Sequence, residues 1–228
     1  MFSGFIFDVE GTLVDCVAQN LHSLQDALER FGHRVPYQTL QLYSGLDGDQ
    51  MLQLILPEAS ESERNEILQK RGTIFEGEYL LSVKPFDGAR DLFRALTEEG
   101  GKIALATDCK GLAFKRYLSL LDASEFITAT ACGDDVEHGK PDPRLVGTAL
   151  RKLDLPAPQA VLIGDTPYDA EAALEAGTKA GGLLTGGFSE EALRQAGCFV
   201  VARDLRGLMP GLLYGEQPTT QTSLLRSA

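Results

Sequence analysis

The sequence predicts an α/β fold, a doubly wound parallel sheet with an inserted all-helical cap, and three observations point to it. Short apolar runs recur along the chain, each ending in acidic or small residues. Helical spacing at i, i+3 and i+4 fills the stretches between them. One interval, residues 15–85, breaks the alternation and offers no convincing strand. Apolar runs bounded in this way are buried strands of a parallel sheet, and strands alternating with helices define an α/β architecture.

The first strand is residues 4–7, which lead into Asp8. Leu21, Leu24, Leu28 and Phe31 then make one helical face, Met51, Leu52, Leu54, Ile55 and Leu56 begin another, and residues 61–71 form a charged, solvated helix. About seventy residues without a strand are too many for an ordinary crossover. Residues 15–85 are therefore expected to be a cap domain, and residues 1–14 with 86–228 the core domain. A helix carrying Leu92, Phe93 and Leu96 closes at Gly100-Gly101, and the strand at 102–106 leads into Thr107-Asp108. The next strand, 126–131, runs into Cys132-Gly133-Asp134-Asp135. Leu145, Val146, Ala149, Leu150 and Leu153 line a helix opened by Pro141 and Pro143 and stopped before Pro156. Strands at 160–163 and 181–184 end at Gly164-Asp165 and Thr185-Gly186-Gly187. The polar tail, 215–228, is expected to pack poorly.

Composition narrows the function. The chain has 21 basic and 33 acidic residues, a net charge of −12. That opposes nucleic-acid binding, where Lys and Arg contacts to phosphates supply most of the affinity. A small anionic substrate is not opposed, because charges beyond roughly 8–10 Å are screened at cellular salt. No run approaches the ~18 apolar residues of a membrane span. Residues 2–7 lack a basic flank and stop at Asp8, unlike a signal peptide, so a cytoplasmic location is the default expectation. Cys16, Cys109, Cys132 and Cys198 form no CxxC pair and no zinc spacing, which suits free thiols in a reducing compartment. His22, His33 and His138 share no metal spacing either. A monomer or weak dimer is expected.

Open α/β sheets bind ligands beyond the carboxyl ends of their strands. The residues there are Asp8, Glu10 and Thr12, then Thr107 and Asp108, then Lys140, then Asp165 and Asp169. Carboxylates so close repel one another, and a hard cation with oxygen ligands relieves the repulsion. Mg²⁺ fits, since it binds one or two carboxylates together with substrate phosphate. Lys140 could hold a phosphoryl oxygen or balance a nucleophile, Thr107 could donate to another oxygen, and Asp8 could attack phosphorus.

Four motifs in order then give a family resemblance. Asp8-Val9-Glu10-Gly11-Thr12, Ala106-Thr107-Asp108, Gly139-Lys140-Pro141-Asp142-Pro143 and Gly164-Asp165-Thr166-Pro167-Tyr168-Asp169 resemble the four motifs of the haloacid dehalogenase superfamily. The helical insert is similar to the cap of its phosphoglycolate phosphatase and beta-phosphoglucomutase branch. The resemblance implies Mg²⁺-dependent hydrolysis of a small phosphorylated metabolite through an aspartyl-phosphate on Asp8. It implies Glu10 as general acid and base, and Thr107, Asp108 and Lys140 around the phosphate. The metal would be held by Asp8, the backbone carbonyl of Glu10 and Asp165, with Asp169 supporting its water shell. The segment from Ser44 to Asp49, with Gly45, Asp47 and Asp49, resembles the cap loop that selects substrate in related phosphatases; an ordinary helix-connecting turn reads equally well.

One position departs from the motif. Phosphatases of the family carry Asp where this chain has Glu10. Acid–base assistance is worth ~10²–10⁴ in rate, and a ~1 Å misplacement can remove on the order of 10² of it. Three outcomes follow, in order of preference: a pocket reshaped around Glu10, an enzyme slow on alkyl esters yet competent on good leaving groups, or a phosphate-ester binder that has lost catalysis. A phosphomutase is a further alternative. The dehalogenase branch carries Tyr at this position. The phosphonatase branch carries a small residue there with a cap lysine, and here the cap has no Lys before Lys70. Neither chemistry fits.

Overall fold

Strand β1 (Gly4–Phe7) is buried along its whole length and lies at the centre of a six-stranded sheet. It pairs in parallel with β4 (Lys102–Ala106) on one side and β6 (Ala160–Gly164) on the other. Beyond β4 lies β5 (Ile127–Ala131); beyond β6 lie β7 (Lys179–Leu183) and β8 (Cys198–Ala202), giving the order β5-β4-β1-β6-β7-β8. Every pairing is parallel. The chain therefore winds outward one way through β4 and β5, then crosses β1 and winds the other way. This computed structural model describes residues 2–214, so the tail at 215–228 lies outside the described residues.

Side chains alternate across the strands and so feed two cores. Phe5 and Phe7 of β1, Ile103 and Leu105 of β4, and Val161 and Ile163 of β6 face one side. They pack against α5 (Ala89–Glu98), α6 (Gly111–Leu121) and α10 (Leu205–Tyr214). Ile6, Ala104 and Leu162 face the other side, against α7 (Arg144–Leu153), α8 (Pro167–Glu175) and α9 (Glu190–Gln195). Helices on both faces leave these strands no solvent side, which is why they read as continuous apolar runs.

A third core belongs to the insert. It joins α1 (Val17–Arg30), α2 (Tyr37–Leu42), α3 (Gly48–Ile55) and α4 (Glu61–Ile74) through Leu21, Leu24, Leu28, Leu40, Met51, Leu52, Ile67 and Ile74. The chain leaves the sheet at β2 (Val14–Asp15) and returns at β3 (Lys84–Pro85), and these two strands pair antiparallel. That ribbon corrects the reading of 15–85 as strandless; two residues are too few to show a period of two. The sequence reading also stopped short of β8, and it began β7 at Gly181, whereas Lys179 and Ala180 already pair with Val161 and Leu162. No helix among the described residues is long and apolar enough to cross a membrane.

Candidate active site

The carboxyl ends of β1, β4 and β6 converge where the winding reverses, and the buried Asp8, Thr12, Thr107, Lys140, Asp165, Thr166 and Asp169 lie at those ends and in the loops that follow them. Asp8 follows β1, and its backbone N–H donates to Ile163 O at 2.9 Å, fixing the turn out of the strand. Its carboxylate accepts from Lys140 Nζ at 2.5 Å. The same Nζ donates to Asp169 Oδ1 at 2.7 Å and lies 3.8 Å from Asp108 Oδ2. The side chains of Lys140, Asp8 and Asp169 are 5–6% exposed, so this is a buried charge cluster. Asp165, buried after β6, accepts from Thr12 Oγ1 at 2.6 Å.

Local sequence explains each placement. Thr166 is the N-cap of α8 and Pro167 its first residue; Thr166 N–H donates to Asp169 Oδ2 at 3.1 Å and Asp169 N–H to Thr166 Oγ1 at 3.3 Å, closing a capping box, while Thr166 Oγ1–H also donates to Asp169 Oδ2 at 2.7 Å. Asp169 thereby presents its other oxygen, Oδ1, to Lys140. Gly11 turns with φ +82°, and a Cβ there would lie 2.3 Å from Asp165 Oδ2. Only glycine permits both that backbone and that approach.

Burial sets the electrostatics. Burial first, then Asp169 and Asp165, push the Asp8 carboxyl well above its ordinary range, against the pull of Lys140. Asp165 is pushed up to about 8 by burial and by Asp169, opposed by the Thr12 hydrogen bond and Lys140. Burial also disfavours the charge on Lys140, but Asp169, Asp8 and Asp108 together outweigh it and hold the ammonium well above an ordinary lysine. Asp8, Asp165 and Asp169 each offer a carboxylate oxygen within 4.8 Å of the others. Three buried carboxylates facing a single lysine fit a divalent cation, because a second positive charge relieves the remaining repulsion.

The other residues singled out in the sequence fall into distinct places. Thr107 is fully buried at the end of β4; its Oγ1 accepts from Cys109 N at 3.2 Å, so its hydroxyl proton is free to donate. Asp108, grouped with the phosphate contacts, is instead turned to the Lys140 loop, accepting from Lys140 N–H at 3.2 Å, and burial raises it to about 6. Its negative charge suits bracing that loop better than meeting phosphate. The side chain of Glu10 stands apart from the carboxylate trio: Oε1 accepts from Tyr117 Oη–H at 2.9 Å and from Asn20 Nδ2 at 3.1 Å. A contribution of Glu10 to metal binding is thus left to its backbone carbonyl.

The cap loop reaches this rim. Gly45 packs so closely on Thr166 that a Cβ would lie 2.5 Å from Cγ2. Asp47 N donates to Lys140 O at 3.1 Å, while its Oδ1 caps α3 by accepting from Asp49 N and Gln50 N. Asp49 departs from the expectation. Its carboxylate accepts from Arg64 Nε at 2.6 Å and from Gln53, inside the cap, and the Arg64 bond holds it below the usual carboxylate range. The sequence reading missed Tyr117, Asn20 and Arg71. The one available signal was Tyr117 on an otherwise apolar helical face, since a buried phenol needs a hydrogen-bond partner.

A parallel α/β sheet whose strand ends collect acidic groups, a lysine and a threonine suits binding of an anionic group beside a divalent cation. The particular family follows: residues 5–183 match the model of the haloacid dehalogenase-like hydrolases, and the chain belongs to that family. It is 25% identical over 226 residues to a phosphoglycolate phosphatase of Pseudomonas fluorescens, covering 96% of this chain and 82% of the relative. It is 26% identical over 185 residues to pyrophosphatase PpaX of Anoxybacillus flavithermus, covering 78% and 81%. Among solved structures, a hydrolase from Pseudomonas syringae superposes with a TM-score of 0.85 at 28% identity, covering 92% of this chain and 97% of that one. The chain is thus a haloacid dehalogenase-like hydrolase, and the relatives it resembles are named as phosphatases and pyrophosphatases.

Proposed function

We propose that the protein is a Mg²⁺-dependent phosphatase that hydrolyses a small phosphorylated metabolite through an aspartyl-phosphate on Asp8. The observation that carries this is Lys140 Nζ seated between Asp8 and Asp169, with Asp165 completing a carboxylate trio. Asp8, Asp165 and Asp169, with the Glu10 backbone carbonyl, would hold Mg²⁺, which when bound neutralises their charge and polarises a phosphoryl oxygen. Asp8 attacks phosphorus as the bond to the ester oxygen breaks. Lys140 and Thr107 donate to the phosphoryl oxygens, matching the charge that spreads over them. Glu10 gives its proton to the leaving alkoxide, then takes one from the water that cleaves the aspartyl-phosphate, freeing inorganic phosphate and restoring Asp8.

Residues 15–85 act in this reading as a cap over a core of 1–14 and 86–228, with the β2–β3 ribbon as its hinge; the separate apolar core of the insert supports that division. Gly45 and Asp47 would shape the substrate pocket from the cap side. The relatives named for phosphoglycolate and for pyrophosphate support a small substrate. Four free cysteines, three of them buried, support the cytoplasm as its location.

The direct test is phosphate release from an aryl phosphate and a panel of alkyl phosphates, with Mg²⁺ and with chelator. Turnover that chelator abolishes is the expected result. Binding of phosphate esters without turnover would instead make the chain a binding protein. Phosphate moving within one sugar, without release to water, would make it a mutase.

Metal affinity should depend on pH in a defined direction. Asp165 keeps a proton up to about pH 8 in the metal-free site, and Mg²⁺ must displace it. Calorimetric titration should show affinity tightening about tenfold or more between pH 6 and pH 8.5, with protons released on binding. Stability follows the same group. The folded site holds a proton that the unfolded chain gives up near the ordinary carboxylate pKa, so the metal-free protein loses stability as pH rises from there toward about 8. Added Mg²⁺ should return it; a melting temperature flat across that range would contradict the assignment.

A further inference from the structure

Glu10 is longer than the aspartate it replaces by one carbon–carbon bond, roughly 1.5 Å, and it has one more rotatable bond. Left unrestrained, such a side chain spreads its carboxylate over several rotamers. Here two donors from different elements meet it on one oxygen. Tyr117 Oη–H, from the core helix α6, donates to Oε1 at 2.9 Å, and Asn20 Nδ2, from the cap helix α1, donates to the same Oε1 at 3.1 Å. Arg71 of α4 donates through Nη2 to Asn20 Oδ1 at 2.6 Å, which fixes the amide with its NH₂ toward Glu10. The Tyr117 ring is fully buried within the first hydrophobic core, so its hydroxyl is aimed by packing. Neither bond uses Oε2, and among the described residues no side chain donates to it.

We propose that Tyr117, together with Asn20, is a positioning residue for Glu10: the two donors pin Oε1 and leave Oε2 as the oxygen that moves the proton. The inference rests on the phosphatase reading and deepens it, because it explains how a glutamate serves where the family uses an aspartate. An aspartate at position 10 would stop short of Tyr117 by about one bond length. The clamp is thus specific to this chain's longer side chain. Since Asn20 and Arg71 come from the insert and Tyr117 from the core, the acid is fully held only when the two are together.

Tyr117→Phe tests this, because it keeps the ring and removes only the donor. With alkyl phosphates, whose leaving oxygen needs a proton, kcat should fall on the order of tenfold or more. With an aryl phosphate, which departs with little acid help, it should change by less than about threefold. KM should hold for both. In a Glu10→Asp background, Tyr117→Phe should add no further loss, as expected when the residue acts only through Glu10. Equal losses on alkyl and aryl esters, or losses that add in the double variant, would overturn the proposal and leave Tyr117 a packing residue. Asn20→Ala is read in the same way and carries the test if Tyr117→Phe fails to fold by circular dichroism. A wild-type chain with no chelator-sensitive turnover on any ester would overturn the phosphatase reading itself, and this inference with it.

Discussion

Asp8→Asn is expected to abolish turnover, lowering kcat by at least about 10⁴, while the protein stays folded. Loss of a covalent nucleophile costs of this order or more, since the later steps have no intermediate to act on. The structure explains why the fold survives. The amide oxygen of an asparagine can still accept the hydrogen bond that Asp8 takes from Lys140, and the backbone bond from residue 8 to Ile163 O is untouched. Asparagine is neutral at a site where burial, Asp169 and Asp165 together oppose a charge on residue 8 more than Lys140 favours it. The metal-free variant should therefore melt no lower than wild type at neutral pH, and higher if Lys140 is satisfied by Asp169 alone. Mg²⁺ affinity should weaken, because one of three carboxylates in the trio is gone. Acid-quench labelling with a phosphate ester should trap phosphate on the wild-type chain and none on the variant. Full Mg²⁺-dependent activity in Asp8→Asn would sink the nucleophile assignment, whatever the stability measurements show.

What the sequence revealed of this site, and what it hid, divides along a physical line. Parallel strands buried on both faces are short apolar runs, and the residue at which such a run stops is where the sheet meets its ligand face. Sequence alone thus places Asp8, Thr107 and Asp165 at one rim, and the four motifs in order add Lys140 and Asp169. The structure brings all five to that rim. Side-chain direction was not legible in the same way. Thr107 and Asp108 are neighbours, yet one hydroxyl stays free to donate while the other side chain turns to the Lys140 backbone. Asp47 and Asp49 flank one glycine, yet Asp47 meets the core and Asp49 pairs with Arg64. Contacts between distant segments were hidden altogether. Tyr117 lies 107 positions from Glu10, and no periodicity connects them. The β2–β3 ribbon escaped for a simpler reason: its two-residue strands carry no pattern.

Lys140→Met has the other large effect, and it separates structure from chemistry. Methionine approximates the length of the lysine stem but removes the one cation among the described residues that faces Asp8, Asp169 and Asp108. The loop itself should hold, since Lys140 N–H still donates to Asp108 and its carbonyl still accepts from Asp47 N. The buried carboxylates lose their partner, and breaking such a pair from one side typically costs about 3–5 kcal/mol. Without metal, the variant should lose that much stability near neutral pH, and less as the pH falls and the carboxylates take up protons. Mg²⁺ brings positive charge to the same trio, so it should restore much of the lost stability. It should not restore turnover. In the proposed mechanism the ammonium also holds a phosphoryl oxygen as charge develops, and removing one such donor costs about 10²–10³ in kcat. Chemical unfolding with and without Mg²⁺, beside phosphate release on the same samples, distinguishes the two roles. If Mg²⁺ rescued activity and stability together, Lys140 would be only a counter-charge for the carboxylates; rescue of stability alone would establish that its charge also works on the phosphate.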